Sequence, residues 1–115
     1  MEPIRKVILT RSDAEPWWFF EDWQKDIVKI WEYEKESEAI QKYKTEISRL
    51  RNKFPNVKTK NYQSIVFWNP EEMEFCEACD DDVQIYHGII LFEDEQPMKV
   101  DEKLKGELKV LIEND

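Results

Sequence analysis

Hydrophobic positions change their period several times along the chain, and each change predicts an element. Ile4 to Thr10 is a short β-branched run (Ile4, Val7, Ile8, Leu9) that predicts a first strand. Next comes Glu15-Pro16-Trp17-Trp18-Phe19-Phe20-Glu21-Asp22-Trp23, the densest aromatic patch in the chain. Pro16 suits the first turn of a helix, where its missing N–H is no loss. Trp23, Ile27, Ile30 and Trp31 then recur at helical spacing, so the pattern predicts a first helix running to about Tyr33. A second helix is predicted from Ser37, a candidate N-cap, along a stripe of Ile40, Tyr43, Ile47, Leu50 and Phe54. It ends at Phe54-Pro55-Asn56, because the residue before a proline is pushed out of the α region.

Tyr62 to Trp68 predicts a second strand and Val83 to Phe92 a third. The third is apolar on both sides in its second half, as a central strand is. Met73 and Phe75 alternate with Glu72 and Glu74, the pattern of a short additional strand. After Pro97, Val100, Leu104, Leu108, Leu111 and Ile112 share one helical stripe, with Asp101 as candidate cap and Gly106 as a weak spot. The expectation is one α+β domain over residues 1–115. It has a small antiparallel sheet of three or four strands packed with three helices, in the order β-α-α-β-(β)-β-α. Strands two and three are too close in sequence for a helical crossover, so they should pair antiparallel. No internal repeat and no linker divides the chain.

Composition agrees with a folded domain. The chain has 115 residues, 41% hydrophobic and 13% aromatic, with five Trp, too much large apolar surface for a disordered chain. No apolar run approaches the ~18–20 residues that span a bilayer, so no membrane contact is expected. The opening residues lack the pattern of a signal peptide. Two cysteines are too few for a disulfide scaffold, and the chain reads as cytoplasmic.

The net charge of −9 argues against generic binding to nucleic acid or anionic membrane. It hides an asymmetry. From Lys42 to Lys60 there are seven bases and one acid, and from Glu71 to Glu95 ten acids and no base. Two solvated faces, or two partner surfaces of opposite sign, both fit this distribution.

Four blocks in order carry a resemblance: E-P-W-W-F-F-E-D-W at Glu15–Trp23, F-W-N at Phe67–Asn69, C-E-A-C-D-D-D at Cys76–Asp82 and Q-I-Y-H-G at Gln84–Gly88. Together they resemble an uncharacterised family of low-GC Gram-positive bacteria, domain of unknown function 1033. The resemblance runs from the first strand to about Pro97 and implies a small stand-alone bacterial protein. It implies no activity, ligand or catalytic residue.

Three constellations could carry chemistry. Cys76-Glu77-Ala78-Cys79 has the spacing of a disulfide exchanger or half a metal site. Its neighbours Glu74, Glu77, Asp80, Asp81 and Asp82 disfavour the thiolate that exchange requires, and a strand follows where a helix would be needed. A zinc site would take Cys76, Cys79 and His87, the chain's one histidine, with a carboxylate or water as fourth ligand. Against it, structural zinc sites draw four Cys/His ligands, and His87 falls on an apolar strand face that favours a hydrogen-bonded core histidine. Asp80-Asp81-Asp82 could bind a hard cation or form a solvated turn; its spacing is not that of an EF-hand. Trp17, Trp18, Phe19, Phe20 and Trp23 are too consecutive for one helix face to bury, so they are either partly exposed to a partner or absorbed into the core.

No nucleophile elbow, dinucleotide-binding glycine motif or phosphate loop is present, which argues against an enzyme. The leading reading is a non-enzymatic protein-interaction or regulatory module, with no cofactor. It would contact a protein partner through the aromatic block and a charged face. The alternatives are a small zinc protein and an acidic protein that binds or mimics nucleic acid. Lys42, Lys44, Arg49, Arg51 and Lys53 are the candidate nucleic-acid contacts.

Overall fold

Strand β1 (Arg5–Ser12) is apolar on both faces and lies against β7 (Tyr86–Glu93) in an unbroken antiparallel register from Arg5↔Glu93 to Ser12↔Tyr86. These two strands form the middle of the sheet. The computed structural model describes residues 3–14, 16, 23–78 and 80–113. The other elements are β2 (Ile27–Tyr33), α1 (Glu36–Lys53), β3 (Asn56–Lys60), β4 (Ser64–Trp68), β5 (Met73–Cys76), β6 (Asp81–Gln84), β8 (Gln96–Pro97) and α2 (Glu102–Glu113). The main sheet runs β2-β1-β7-β4-β3 with β8 beside β7, six strands in all, and β5 and β6 form a separate two-stranded sheet. Every pairing is antiparallel.

Both helices lie on one face of this sheet. Ala39, Tyr43, Ile47 and Leu50 of α1 and Leu104, Leu108 and Ile112 of α2 pack with Val7, Ile65, Phe67, Ile89 and Leu91 of the strands. Full burial of each such aliphatic side chain contributes about 1.5–3 kcal/mol. Helix α1 stops where Pro55 dictates. Phe54 takes an extended conformation (φ −114°, ψ 140°) while its N–H still donates to Leu50 O at 2.9 Å. Asp101 caps α2 as expected, its Oδ1 accepting the Leu104 N–H at 2.8 Å. Ser37 does not cap α1: Lys35 holds that position without a side-chain bond, and Ser37 lies inside the first turn.

The opposite face carries a smaller cluster of Ile8, Ile90 and Phe92, against which Trp23 and Ile27 pack. Gly88 lies here, and a Cβ at this position would be 2.7 Å from Pro16 Cβ and 2.5 Å from Thr10 Oγ1. Only glycine lets Pro16 sit this close to the sheet.

The expected order and helix count are corrected. The described residues contain two α-helices rather than three, and the sheet is larger than three or four strands. The misread segment is the predicted first helix. Residues Trp23–Asp26 make one 3-10 turn and Ile27–Tyr33 are strand β2; the part before Trp23 lies largely outside the described residues. The physical reason is a bulge. Leu9 pairs with Lys29 and Thr10 with Ile27, leaving Val28 as an extra residue. The bulge restores Ile27 to the face of Ile30, so a strand acquires the three-residue spacing of a helix. Strand β3 went unread because only Val57 and Thr59 alternate with Lys58 and Lys60. The predicted third strand is broken at Ile85 into β6 and β7.

Candidate functional site

The face opposite α1 and α2 bears a groove of about 400 Å³, at the lower end of ligand-pocket size. Ile8, Trp23, Ile27, Ile30, Phe92 and Pro97 supply its apolar wall, with Lys6, Asp94 and Glu95 at one end. Trp23 tilts against Phe92 with ring centroids 5.6 Å apart. Asp94 is fixed there. It adopts a left-handed conformation (φ 58°) in the β7–β8 turn, donates its N–H to Ile4 O at 2.7 Å and accepts the Ile4 N–H on Oδ1 at 3.1 Å.

Beside the groove runs β2, which ends the strand order. Among the described residues no strand pairs with its outer side. Val28 is 64% and Ile30 42% exposed along it. The other sheet edge, β3, is five residues long and carries Lys58 and Lys60, the usual protection of an edge strand. Of the aromatic block, Trp23 is half-buried in the groove wall, and Trp17, Trp18, Phe19 and Phe20 lie outside the described residues. Pro16 and Trp23, which bracket those four in sequence, both pack on this face.

The second site assembles around His87. Its ring stacks on Phe54 (centroids 4.5 Å, interplanar 27°), and Nε2 donates to Glu72 Oε1 at 2.7 Å. Arg11, the β1 partner of His87, pairs with Glu74. That hydrogen bond holds the Glu74 carboxyl below its ordinary range and raises the guanidinium further. Gln84 Nε2 lies within hydrogen-bonding distance of the carbonyls of Asn69, Glu72 and Ile85 (2.8–3.1 Å). These polar ties hold the β5–β6 hairpin to the main sheet.

For a zinc site, Cys76 and His87 are not gathered with further ligands: among the described residues no three His, Cys, Asp or Glu side chains cluster to hold a metal. Cys79, the third residue proposed, lies outside the described residues. Cys76 is opposite Asp81 in the hairpin register, and the His87 nitrogen faces Glu72. Glu72 and Phe54 escaped the sequence reading because each is distant in the chain. Their signal was present only as an acid and an aromatic flanking strand ends.

The basic stretch is engaged within the molecule. Lys42 Nζ lies 3.5 Å from Glu46 Oε2 and 4.3 Å from the Trp31 ring centre, and Arg49 Nη2 lies 2.9 Å from Glu46 Oε1. Lys44 pairs with Glu107, Arg51 Nε donates to Ile112 O at 2.8 Å, and Lys53 lies over Phe54. The bases of α1 thus neutralise the buried Glu46 and bind α2.

No described helix is long and apolar enough to cross a membrane. No curated protein and no solved structure matches the chain. The family model described as "Protein of unknown function (DUF1033)" matches residues 4–112, nearly the whole length. The chain therefore belongs to the DUF1033 family, whose function is unknown.

Proposed function

We propose that the protein is a protein-interaction module that takes up an extended segment of a protein partner along β2. The observation that carries this reading is the edge of β2, which no strand among the described residues pairs, lying beside an apolar groove. An added strand satisfies the outward N–H and C=O groups, and its alternate side chains reach Ile27, Ile30 and Trp23. Glu32, Asp94 and Glu95 outnumber Lys6 at the groove end, so the partner segment carries Lys or Arg there. The internal pairing of Lys42, Lys44, Arg49, Arg51 and Lys53 supports a protein partner over nucleic acid.

Selection of linear peptides on the folded protein tests this. Selected sequences should alternate apolar residues and end in a base, and Ile30→Glu should weaken them at least tenfold with an unchanged melt. Peptides without alternation, or binding indifferent to Ile30→Glu, would refute the reading. A concentration-dependent dimer abolished by Ile30→Glu would instead assign the edge to a second copy.

A further inference from the structure

The β5–β6 hairpin leaves Met73, Glu74 and Phe75, on both sides of its pleat, exposed to water. An amphipathic strand turns its apolar side inward and its polar side to water. In β5 Glu74 reaches back to Arg11 while its side chain stays 52% exposed. Met73 and Phe75, on the other side of the pleat, are 45% and 61% exposed. Their cross-strand partners are Gln84, whose amide is turned into the 69–72 loop, and Asp82, which is exposed. Two four-residue strands cannot hold together alone in water. This hairpin is tied to the sheet through His87 to Glu72 and Arg11 to Glu74, with Val83 half-buried beside Glu74, and Met73 and Phe75 stay exposed.

The charge along the hairpin segment itself has one sign. Residues 71–84 include seven acids and no base. Glu74 pairs with Arg11, and Glu72 is hydrogen-bonded to His87. Glu77, Asp80, Asp81 and Asp82 stand exposed at the tip, where Asp80 is held in a left-handed turn (φ 53°). Lys42, Lys44, Arg49 and Arg51 of α1 are committed to Glu46, Glu107 and the end of α2, and Lys53 lies over Phe54.

We infer that the outward face of the β5–β6 hairpin is a docking surface for a Lys/Arg-rich protein segment that also bears large apolar side chains. Phe75 and Met73 are its anchors, and Glu77, Asp80 and Asp82 form the rim that selects a cationic partner. This surface is separate from the β2 groove and does not rest on it.

The probes are a labelled 14-residue helix-forming Lys/Leu peptide and a Lys/Ser peptide of equal charge, titrated into the full chain. The Lys/Leu peptide should bind at least tenfold more tightly. Met73→Ser with Phe75→Ser should reduce its affinity at least tenfold while leaving Tm unchanged. Glu77→Gln with Asp80→Asn and Asp82→Asn should weaken it and flatten its salt dependence, and Ile30→Glu should change nothing. Equal binding of both peptides would reduce the surface to simple ion exchange and overturn the inference. It would be overturned equally by absence of binding, by a fall in Tm in the Met73/Phe75 variant, or by loss of binding in Ile30→Glu.

Discussion

Gly88→Ala adds a single methyl group at the point where Pro16 meets the sheet. The new Cβ would lie 2.5 Å from Thr10 Oγ1 and 2.7 and 2.9 Å from Pro16 Cβ and Cγ. Carbon pairs rest at about 3.5–4.0 Å, so the proline ring must retreat by roughly 1 Å or the strand must shift. Overpacking of this kind costs about 1–3 kcal/mol. Alanine in a strand recovers roughly 0.5–1 kcal/mol of backbone entropy relative to glycine. The net expectation is a loss of roughly 0–2.5 kcal/mol, so the coupling to Pro16 is the decisive reading. Denaturant unfolding followed by tryptophan fluorescence measures it. Pro16→Gly in the Gly88→Ala background should recover part of the loss, giving a coupling of about 0.5 kcal/mol or more. Strict additivity of Gly88→Ala with Pro16→Gly would refute the close approach of Pro16 to β7.

Two further expectations concern single side chains. Tyr43 is fully buried and donates its hydroxyl to Tyr62 O at 2.8 Å, beside the left-handed pair Asn61 and Tyr62. Tyr43→Phe should therefore cost about 1 kcal/mol in equilibrium unfolding. Burial also raises the Tyr43 pKa well above the tyrosine range, so its phenol should resist alkaline titration until the chain unfolds. The Arg11–Glu74 tie should respond to acid. Glu74 has a lowered folded pKa, so the tie is complete above the ordinary carboxylate range and is lost as pH falls through the lowered value. Hairpin amide resonances followed against pH should show this, and Arg11→Gln should move the change to higher pH; an unmoved midpoint would show that Arg11 does not set it.

What the sequence determined by itself is the local part of the molecule. The stripe from Tyr43 to Leu50 made α1 legible, Phe54-Pro55 marked its end, and Asp101 marked the start of α2. Val7 to Leu9 and Ile89 to Phe92 announced strands apolar on both sides. In each case the signal and the structure that satisfies it lie within one or two turns of chain. The family blocks around Phe67 and Gln84 were legible in the same way. Only the tertiary structure decided the rest, because pairing is not local. A single bulge at Val28 gave β2 the spacing of a helix, and its identity depends on β1 lying beside it. The bases of α1 read as an open cationic face until Glu107 and the end of α2 arrived from the far end of the chain. His87 read as a metal ligand or a core histidine, and its partners Glu72 and Phe54 were set by the placement of the 69–72 loop and the end of α1. The exposure of Met73 and Phe75 is likewise a tertiary fact: alternation shows that the two share a face, and only the placement of the hairpin on the sheet leaves that face in water.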